Sequence, residues 1–115
     1  MVKDNAIVRD NATIKDNAII CGDAIICGDA IIAKNATIRG DAFVSDCNHI
    51  YVAKLDDEYK SYVTFFRTKN REINICHNYE LYTIKEFENT IQFWTTEEKN
   101  DAKSIIKAAK AHIEL

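Results

Sequence analysis

The first half of the chain alternates aliphatic and polar positions with a period of six residues. Valine or isoleucine recurs at every sixth position: Val2, Val8, Ile14, Ile20, Ile26, Ile32, Ile38, Val44 and Ile50. Alanine lies four residues after the first seven of these: Ala6, Ala12, Ala18, Ala24, Ala30, Ala36 and Ala42. The intervening positions are mostly Asp, Asn or Gly, which tolerate the left-handed backbone of a sharp corner. Because an α-helix repeats every ~3.6 residues, the pattern instead predicts a short β-segment and a corner in each unit.

Three such segments would close one triangular coil of 18 residues, and stacked coils would pair through parallel ladders around an aliphatic interior. The pattern over residues 2–51 resembles the hexapeptide-repeat family, the left-handed parallel β-helices found in many bacterial acyltransferases. This resemblance implies a mainly β fold with a short left-handed parallel β-helix of about 2.5–3 coils. Because one fold hosts enzymes, binding proteins and structural polymers alike, it does not by itself define a function.

The period is lost after Ile50, and aromatic residues become frequent. Residues 61–67 are rich in β-branched and aromatic side chains and predict a strand. Residues 69–72 form a polar turn, and residues 73–76 predict the returning strand of a hairpin.

Two helices are predicted to follow the hairpin. Residues 83–86 have the form of a capping box that begins the first helix, and residues 97–114 form the second. Apolar residues recur at helical spacing: Phe87, Ile91 and Trp94 in the first, and Ala102, Ile105, Ile106, Ala109 and Ile113 in the second. We therefore predict a β-helix over residues 1–51 and a ββαα element over residues 52–115. The second element is expected to cap the open coil and to contact the partner.

Six-residue repeats followed by segments such as SYVTFFRT and INICHNY resemble small proteins encoded by bacteriophages and prophages, which carry a C-terminal α+β appendage. This resemblance implies a phage accessory or anti-defence protein that acts by binding, in an anti-CRISPR-like or ligand-sequestering way. It also implies the cytoplasm of a bacterial host cell.

Charge and composition narrow the classes of protein. The chain has 115 residues, with 18 acidic and 15 basic side chains and a net charge of −3, which argues against a general nucleic-acid binder. No apolar run approaches the ~18–20 residues of a membrane span, and residues 1–5 lack the apolar region of a secretory signal, so no membrane partner is expected. Four cysteines without a disulfide or zinc-knuckle spacing favour a reducing cytoplasm.

An outward-facing apolar column is predicted on one face of the coils. Ile7, Ile25 and Phe43 lie 18 residues apart and should stack on one another. Because exposed apolar patches commonly mark interfaces, the column predicts a homo-oligomer, and family members are typically trimers. The alternative is that the C-terminal half folds back over the column.

The hairpin supplies the predicted partner-binding residues. They are aromatic and basic: Tyr62, Phe66, Arg67, Lys69 and Arg71. Such a set could grip a host protein, a protein–nucleic-acid complex or a phosphorylated small molecule, and no cofactor is expected. The corner aspartates are expected to accept hydrogen bonds from turn amides: Asp4, Asp10, Asp16, Asp23, Asp29, Asp41 and Asp46.

Two chemical alternatives stay open. The acyltransferase resemblance implies a histidine general base and bound coenzyme A, so His49, the one histidine in the repeats, is the fallback catalytic residue of a small acyltransferase-like enzyme using acetyl-CoA. No partner that would orient it can be named, so a non-enzymatic oligomeric binder is favoured. The less favoured zinc site would use Cys47, His49, Cys76 and His77.

Overall fold

The computed structural model describes residues 1–55 and 61–115, in which strands predominate and two helices lie near the C-terminus. The repeat region contains short strands: β1 (Ile7–Val8), β2 (Thr13–Ile14), β3 (Ile19–Ile20), β4 (Ile25–Ile26), β5 (Ile31–Ile32), β6 (Thr37–Ile38) and β7 (Phe43–Val44). They pair in parallel as β1-β4-β7, β2-β5 and β3-β6. Ile7 lies beside Ile25 and Ile25 beside Phe43, so each strand pairs with the one 18 residues later, as the period predicts.

Each of the six corners between these strands, and the corner before β1, has a residue in the left-handed region. Its φ lies between 57° and 69° at Asp4, Asp10, Asp16, Gly22, Gly28, Lys34 and Gly40. Carboxylates of the earliest corners accept backbone N–H groups 18 residues later at 3.1–3.2 Å: Asp4 from Gly22, Asp10 from Gly28 and Asp16 from Lys34. The expectation is thus confirmed for Asp4, Asp10 and Asp16, and Asp46 accepts the Asn48 N–H at 3.1 Å. In the described part of the chain no backbone N–H donates to the carboxylates of Asp23, Asp29 and Asp41.

Two corner glycines are required by close stacking as well as by φ. A Cβ atom on Gly22 would lie 2.7 Å from the backbone nitrogen of Gly40, and one on Gly28 would lie 2.4 Å from the carbonyl oxygen of Ser45. The backbone cannot move away without breaking the ladder, so these corners admit no side chain.

The C-terminal half contains an antiparallel sheet with the strand order β11-β10-β9-β8. Its strands are β8 (Ile50–Lys54), β9 (Tyr62–Arg67), β10 (Ile73–His77) and β11 (Glu80–Thr83). The predicted β9–β10 hairpin is present, but the ββαα description is wrong because it lacks two strands. β8 follows the last repeat, and β11 follows β10 after a turn of only two residues. No long loop therefore separates either strand from the element before it.

The helices are α1 (Ile84–Ile91) and α2 (Thr96–His112). The predicted capping box is present: Thr83 Oγ1 accepts the Glu86 N–H at 3.1 Å, and the Glu86 carboxylate accepts the Thr83 N–H at 2.8 Å. Trp94 follows the end of α1, yet its ring meets that of Phe87 edge-on, with centroids 5.8 Å apart. In the described part of the chain, no helix is long and apolar enough to cross a bilayer.

The antiparallel sheet separates two cores. Phe66 and Cys76 join the aliphatic side chains of the repeats on one side, whereas Phe65 and Ile75 pack with the two helices on the other. Successive side chains of a strand point to opposite faces, so β9 and β10 each contribute to both cores. The sheet therefore forms a wall that the repeats and the helices share.

The shared wall also covers the last edge of the parallel ladders. Thr64 Oγ1 accepts the Thr37 N–H at 3.0 Å, and the Lys69 N–H donates to the Asp41 carbonyl at 2.9 Å. Backbone groups that an exposed sheet edge would present to water are thus paired with β9 and the turn after it.

The corner geometry predicts different costs for two glycine substitutions. Gly28→Ala should lower the free energy of unfolding by about 1–3 kcal/mol or more, because a methyl group at positive φ meets the backbone of Ser45. Gly40→Ala is the matched control at φ 69°, where the new Cβ meets the flexible end of Leu81 at 2.8 Å and should cost less. Urea unfolding of both variants measures the difference. Equal losses would show that stacking on Ser45 does not constrain the corner.

Candidate functional site

The β9–β10 turn holds a basic residue in a strained conformation. Thr68 donates its N–H to the Glu72 carbonyl at 2.8 Å and accepts the Arg71 N–H on its own carbonyl at 3.0 Å. Arg71 has a φ of 59°, in the left-handed position that glycine usually takes in hairpins of this kind. Its side chain is exposed, and Lys69 beside it is exposed too.

Arg67 joins this turn to the repeats. Its guanidinium carbon lies 5.3 Å from the centroid of the Phe43 ring, and its Nε donates to the Phe43 carbonyl at 3.1 Å. Burial, and after it the positive charge of Arg71, lower the pKa of the Arg67 guanidinium, which stays charged at neutral pH. The contact fixes the hairpin against the outer face of β7.

These residues surround a cavity of about 320 Å³, which is lined by Ile25, Phe43, Arg67, Thr68, Lys69 and Arg71. Among the described residues, the ion pair is that of Arg9 with Asp10 at 4.0 Å, outside this cavity. In that part of the chain, the three cations of the hairpin therefore have no carboxylate partner. An apolar floor and a cationic rim suit a ligand that combines an anionic group with an apolar part.

The structure divides the five predicted partner-binding residues. Arg67, Lys69 and Arg71 come together at the cavity. Phe66 is wrong as a contact residue, because it points into the repeat core and has no exposed surface. Tyr62 lies at the other end of β9, with the Lys54 amine 5.8 Å from its ring centroid.

The predicted interface column belongs partly to the same site. Ile7 is 49% exposed, whereas Ile25 and Phe43 are half-buried and line the cavity. The hairpin therefore reaches the Phe43 end of the column, as the fold-back alternative expects, and leaves Ile7 uncovered in the single chain. Sequence reasoning did not connect Phe43 with Arg67, since no local pattern brings residues 24 positions apart into contact.

His49 is placed unfavourably for general-base chemistry. The Ser45 N–H donates to its Nδ1 at 3.1 Å, and the Ser45 hydroxyl lies 3.2 Å from the same nitrogen. A ring nitrogen that accepts a backbone N–H is unprotonated, so the proton of the neutral ring is assigned to Nε2. The free nitrogen is then a donor and not a base.

The proposed zinc site is wrong. Its four candidate ligands are not brought together: Cys47, His49, Cys76 and His77. The Cys76 side chain is buried in the repeat core, which raises the pKa of its thiol to about 11, while the His77 ring lies beside Phe87 and Trp94 in the helical core. Residues 1–55 and 61–115 contain no group of three or more acidic, cysteine or histidine side chains that could hold a metal ion.

No protein-family model matches the chain, and comparison with curated proteins and with solved structures gives no match. The resemblance of residues 2–51 to hexapeptide-repeat proteins therefore stays a prediction from the sequence pattern. Function has to be inferred from the chemistry of the sites themselves.

His49 should make stability depend on pH. Burial, and next the charge of Arg67, lower its pKa from the ordinary 6.5, so the folded state favours the neutral ring. Its contribution is complete above about pH 6.5 and is lost as the pH falls below that value, because the unfolded chain takes up the proton first. Melting temperatures between about pH 7.5 and pH 5 should fall less steeply in His49→Asn, whose amide oxygen can still accept the Ser45 N–H. Identical slopes, or an NMR titration midpoint above 6.5 for His49, would contradict this.

Proposed function

We propose that the protein is a non-enzymatic binding protein that holds a phosphorylated small molecule at the basic hairpin. In this proposal, residues 1–51 form a left-handed parallel β-helix that acts as a rigid support. The parallel pairing at 18-residue intervals and the repeated left-handed corners favour that architecture.

The observation that carries the proposal is the unpaired cluster of Arg67, Lys69 and Arg71 around one cavity. Three cations close together repel one another, and an anion between them relieves that repulsion. Guanidinium groups match phosphate oxygens with paired hydrogen bonds, and the Phe43 ring offers a surface for an apolar or aromatic part of the ligand. The cluster is a local feature, since the whole chain carries a net charge of −3.

The size of the cavity favours a small molecule over a polymer. A volume of about 320 Å³ is near the lower end of the ~300–1,000 Å³ that ligand sites usually have. A nucleic-acid backbone would instead need a basic surface that continues beyond the hairpin. The acyltransferase alternative is less favoured, because Nδ1 of His49 accepts the Ser45 N–H and the remaining nitrogen, Nε2, carries the proton and cannot act as a general base.

Binding of a ligand without converting it fits the anti-defence role that the phage resemblance implies. A protein of this kind would work by stoichiometric sequestration of a phosphorylated host metabolite or signal in the bacterial cytoplasm. We further propose a homotrimer that associates through the exposed Ile7 end of the column, which would place each cavity beside a neighbouring subunit.

Arg71→Gly tests the ligand site without straining the fold. Glycine suits a φ of 59°, so the variant should be at least as stable as the parent, and relief of about 1 kcal/mol of strain would raise the melting temperature by about 4 °C. In isothermal titration with adenosine diphosphate and with pyrophosphate, the dissociation constant should rise about tenfold or more, since a charged hydrogen bond is lost.

Lys99→Ala, on α2, is the matched control and should bind like the parent. Undiminished binding by Arg71→Gly would overturn the hairpin site. Acetyl transfer from acetyl-CoA that disappears in His49→Asn would instead establish the enzyme alternative.

Ile7→Asp tests the trimer. A carboxylate at this 49% exposed position should prevent association, and light scattering should then report the mass of one chain, 13.1 kDa. Ile31→Asp introduces the same change at a 54% exposed position on another ladder and should leave the trimer intact. A parent protein that is already monomeric would refute the assembly, and two variants that both dissociate would refute the choice of face.

A further inference from the structure

A second and larger cleft lies between the β3–β6 ladder and the shared wall. Its volume is about 570 Å³, and its lining comes from both halves of the chain. The described side chains along it are uncharged, and most end in a carboxamide or a hydroxyl group. This chemistry is opposite to that of the basic hairpin and calls for a different ligand.

One wall of the cleft is a ladder of side-chain amides. Asn17 and Asn35 occupy the same corner position 18 residues apart, so they stack at about the 4.7–4.9 Å spacing of paired strands. Among the described residues, these two amides and that of Asn78 have no side-chain hydrogen-bond partner. The equivalent position of the other repeats is asparagine in the first two, Asn5 and Asn11, and aspartate in three later ones: Asp23, Asp29 and Asp41. The corner that borders the cleft is therefore the one at which both stacked residues are neutral amides, whereas Asn5 stacks with Asp23 and Asn11 with Asp29.

The opposite rim carries a tyrosine in an unusual conformation. Asn78 and Tyr79 form the two-residue turn between β10 and β11, with φ values of 52° and 67°. Such turns favour Asn followed by Gly, and a bulky aromatic at the second position is strained. The Tyr79 side chain does not contribute to a core, since it is 66% exposed, and the Arg39 guanidinium donates to its carbonyl and holds the turn. Tyr62 provides a second ring at the cleft.

We propose that this cleft binds a neutral polyhydroxylated ligand, namely a saccharide. A carboxamide presents a donor and an acceptor side by side, and so matches neighbouring hydroxyl groups on a sugar ring. The spacing of the amide ladder is comparable with the width of one pyranose ring, and the apolar face of such a ring packs well on tyrosine. The lining supplies no charged group for an ionic ligand, and the two cations beside it are engaged, Arg39 with the Tyr79 carbonyl and Lys54 with the Tyr62 ring. The site is independent of the hairpin that binds the phosphorylated ligand.

Saturation-transfer NMR on the full chain tests this site, with maltotriose and triacetylchitotriose as probes and adenosine as a competing chemistry. At least one saccharide should bind saturably. Its dissociation constant should rise tenfold or more in Tyr79→Gly, which relieves the strained φ, and in Asn35→Asp, which adds a charge to the amide ladder. Tyr79→Phe keeps the ring and should retain most of the affinity. Asn100→Asp makes the same chemical change on α2 and should have no effect.

The proposal is overturned if neither saccharide binds at about 10 mM, if adenosine alone binds, or if Tyr79→Gly and Asn35→Asp bind like the parent. Adenosine diphosphate binding at the hairpin should be unchanged in both cleft variants. The two sites can therefore fail separately: loss of one ligand with retention of the other identifies which assignment is wrong.

Discussion

The left-handed corner that recurs every six residues is the constraint on which the rest of the structure depends. It turns the chain sharply enough for each strand to lie beside the one 18 residues later. The early corners achieve this with aspartates that accept amides from the next layer, and the later ones with Gly22 and Gly28, whose missing Cβ atoms allow backbone to stack on backbone. Once the corners are set, the alternation of side chains directs the aliphatic residues inward.

β9 determines where cavities can form beside the sheet. Thr64 and Phe66 face the repeats, and Val63 and Phe65 face the helices, so the centre of the strand is committed to packing. Its ends are not: Arg67 emerges at one cavity, and Tyr62 lies at the other cleft. The same strand that covers the edge of the parallel ladders therefore joins two chemically different cavities, one with a cationic rim and one with an uncharged lining.

Features that depend on nearby residues could be predicted from the sequence. The parallel register follows from a strict period, and the capping box of α1 needs only Thr83 and Glu86. β8 and β11 were missed because short strands with mixed side chains owe their conformation to their neighbours in the sheet. The burial of Phe66 and the contact of Arg67 with Phe43 depend on how distant elements pack, which residue type alone does not encode. The basic cluster was recognised from charge, but its apolar floor was not.

Arg71 and Tyr79 provide a common argument for both sites. Each lies in the left-handed region of a hairpin turn, where a residue other than glycine costs of order 1–3 kcal/mol. That cost is substantial for a small domain whose total stability is about 5–15 kcal/mol. Burial of the side chain does not offset it at either position, because both side chains are exposed. Glycine would relieve the strain at either position but would remove a guanidinium from one cavity and an aromatic ring from the other. Strain and exposure alone do not mark a ligand site, because Lys34 has a φ of 57° and is exposed but lines neither cavity. What distinguishes Arg71 and Tyr79 is that each also borders a cavity, which is why the two proposed ligand sites are placed there.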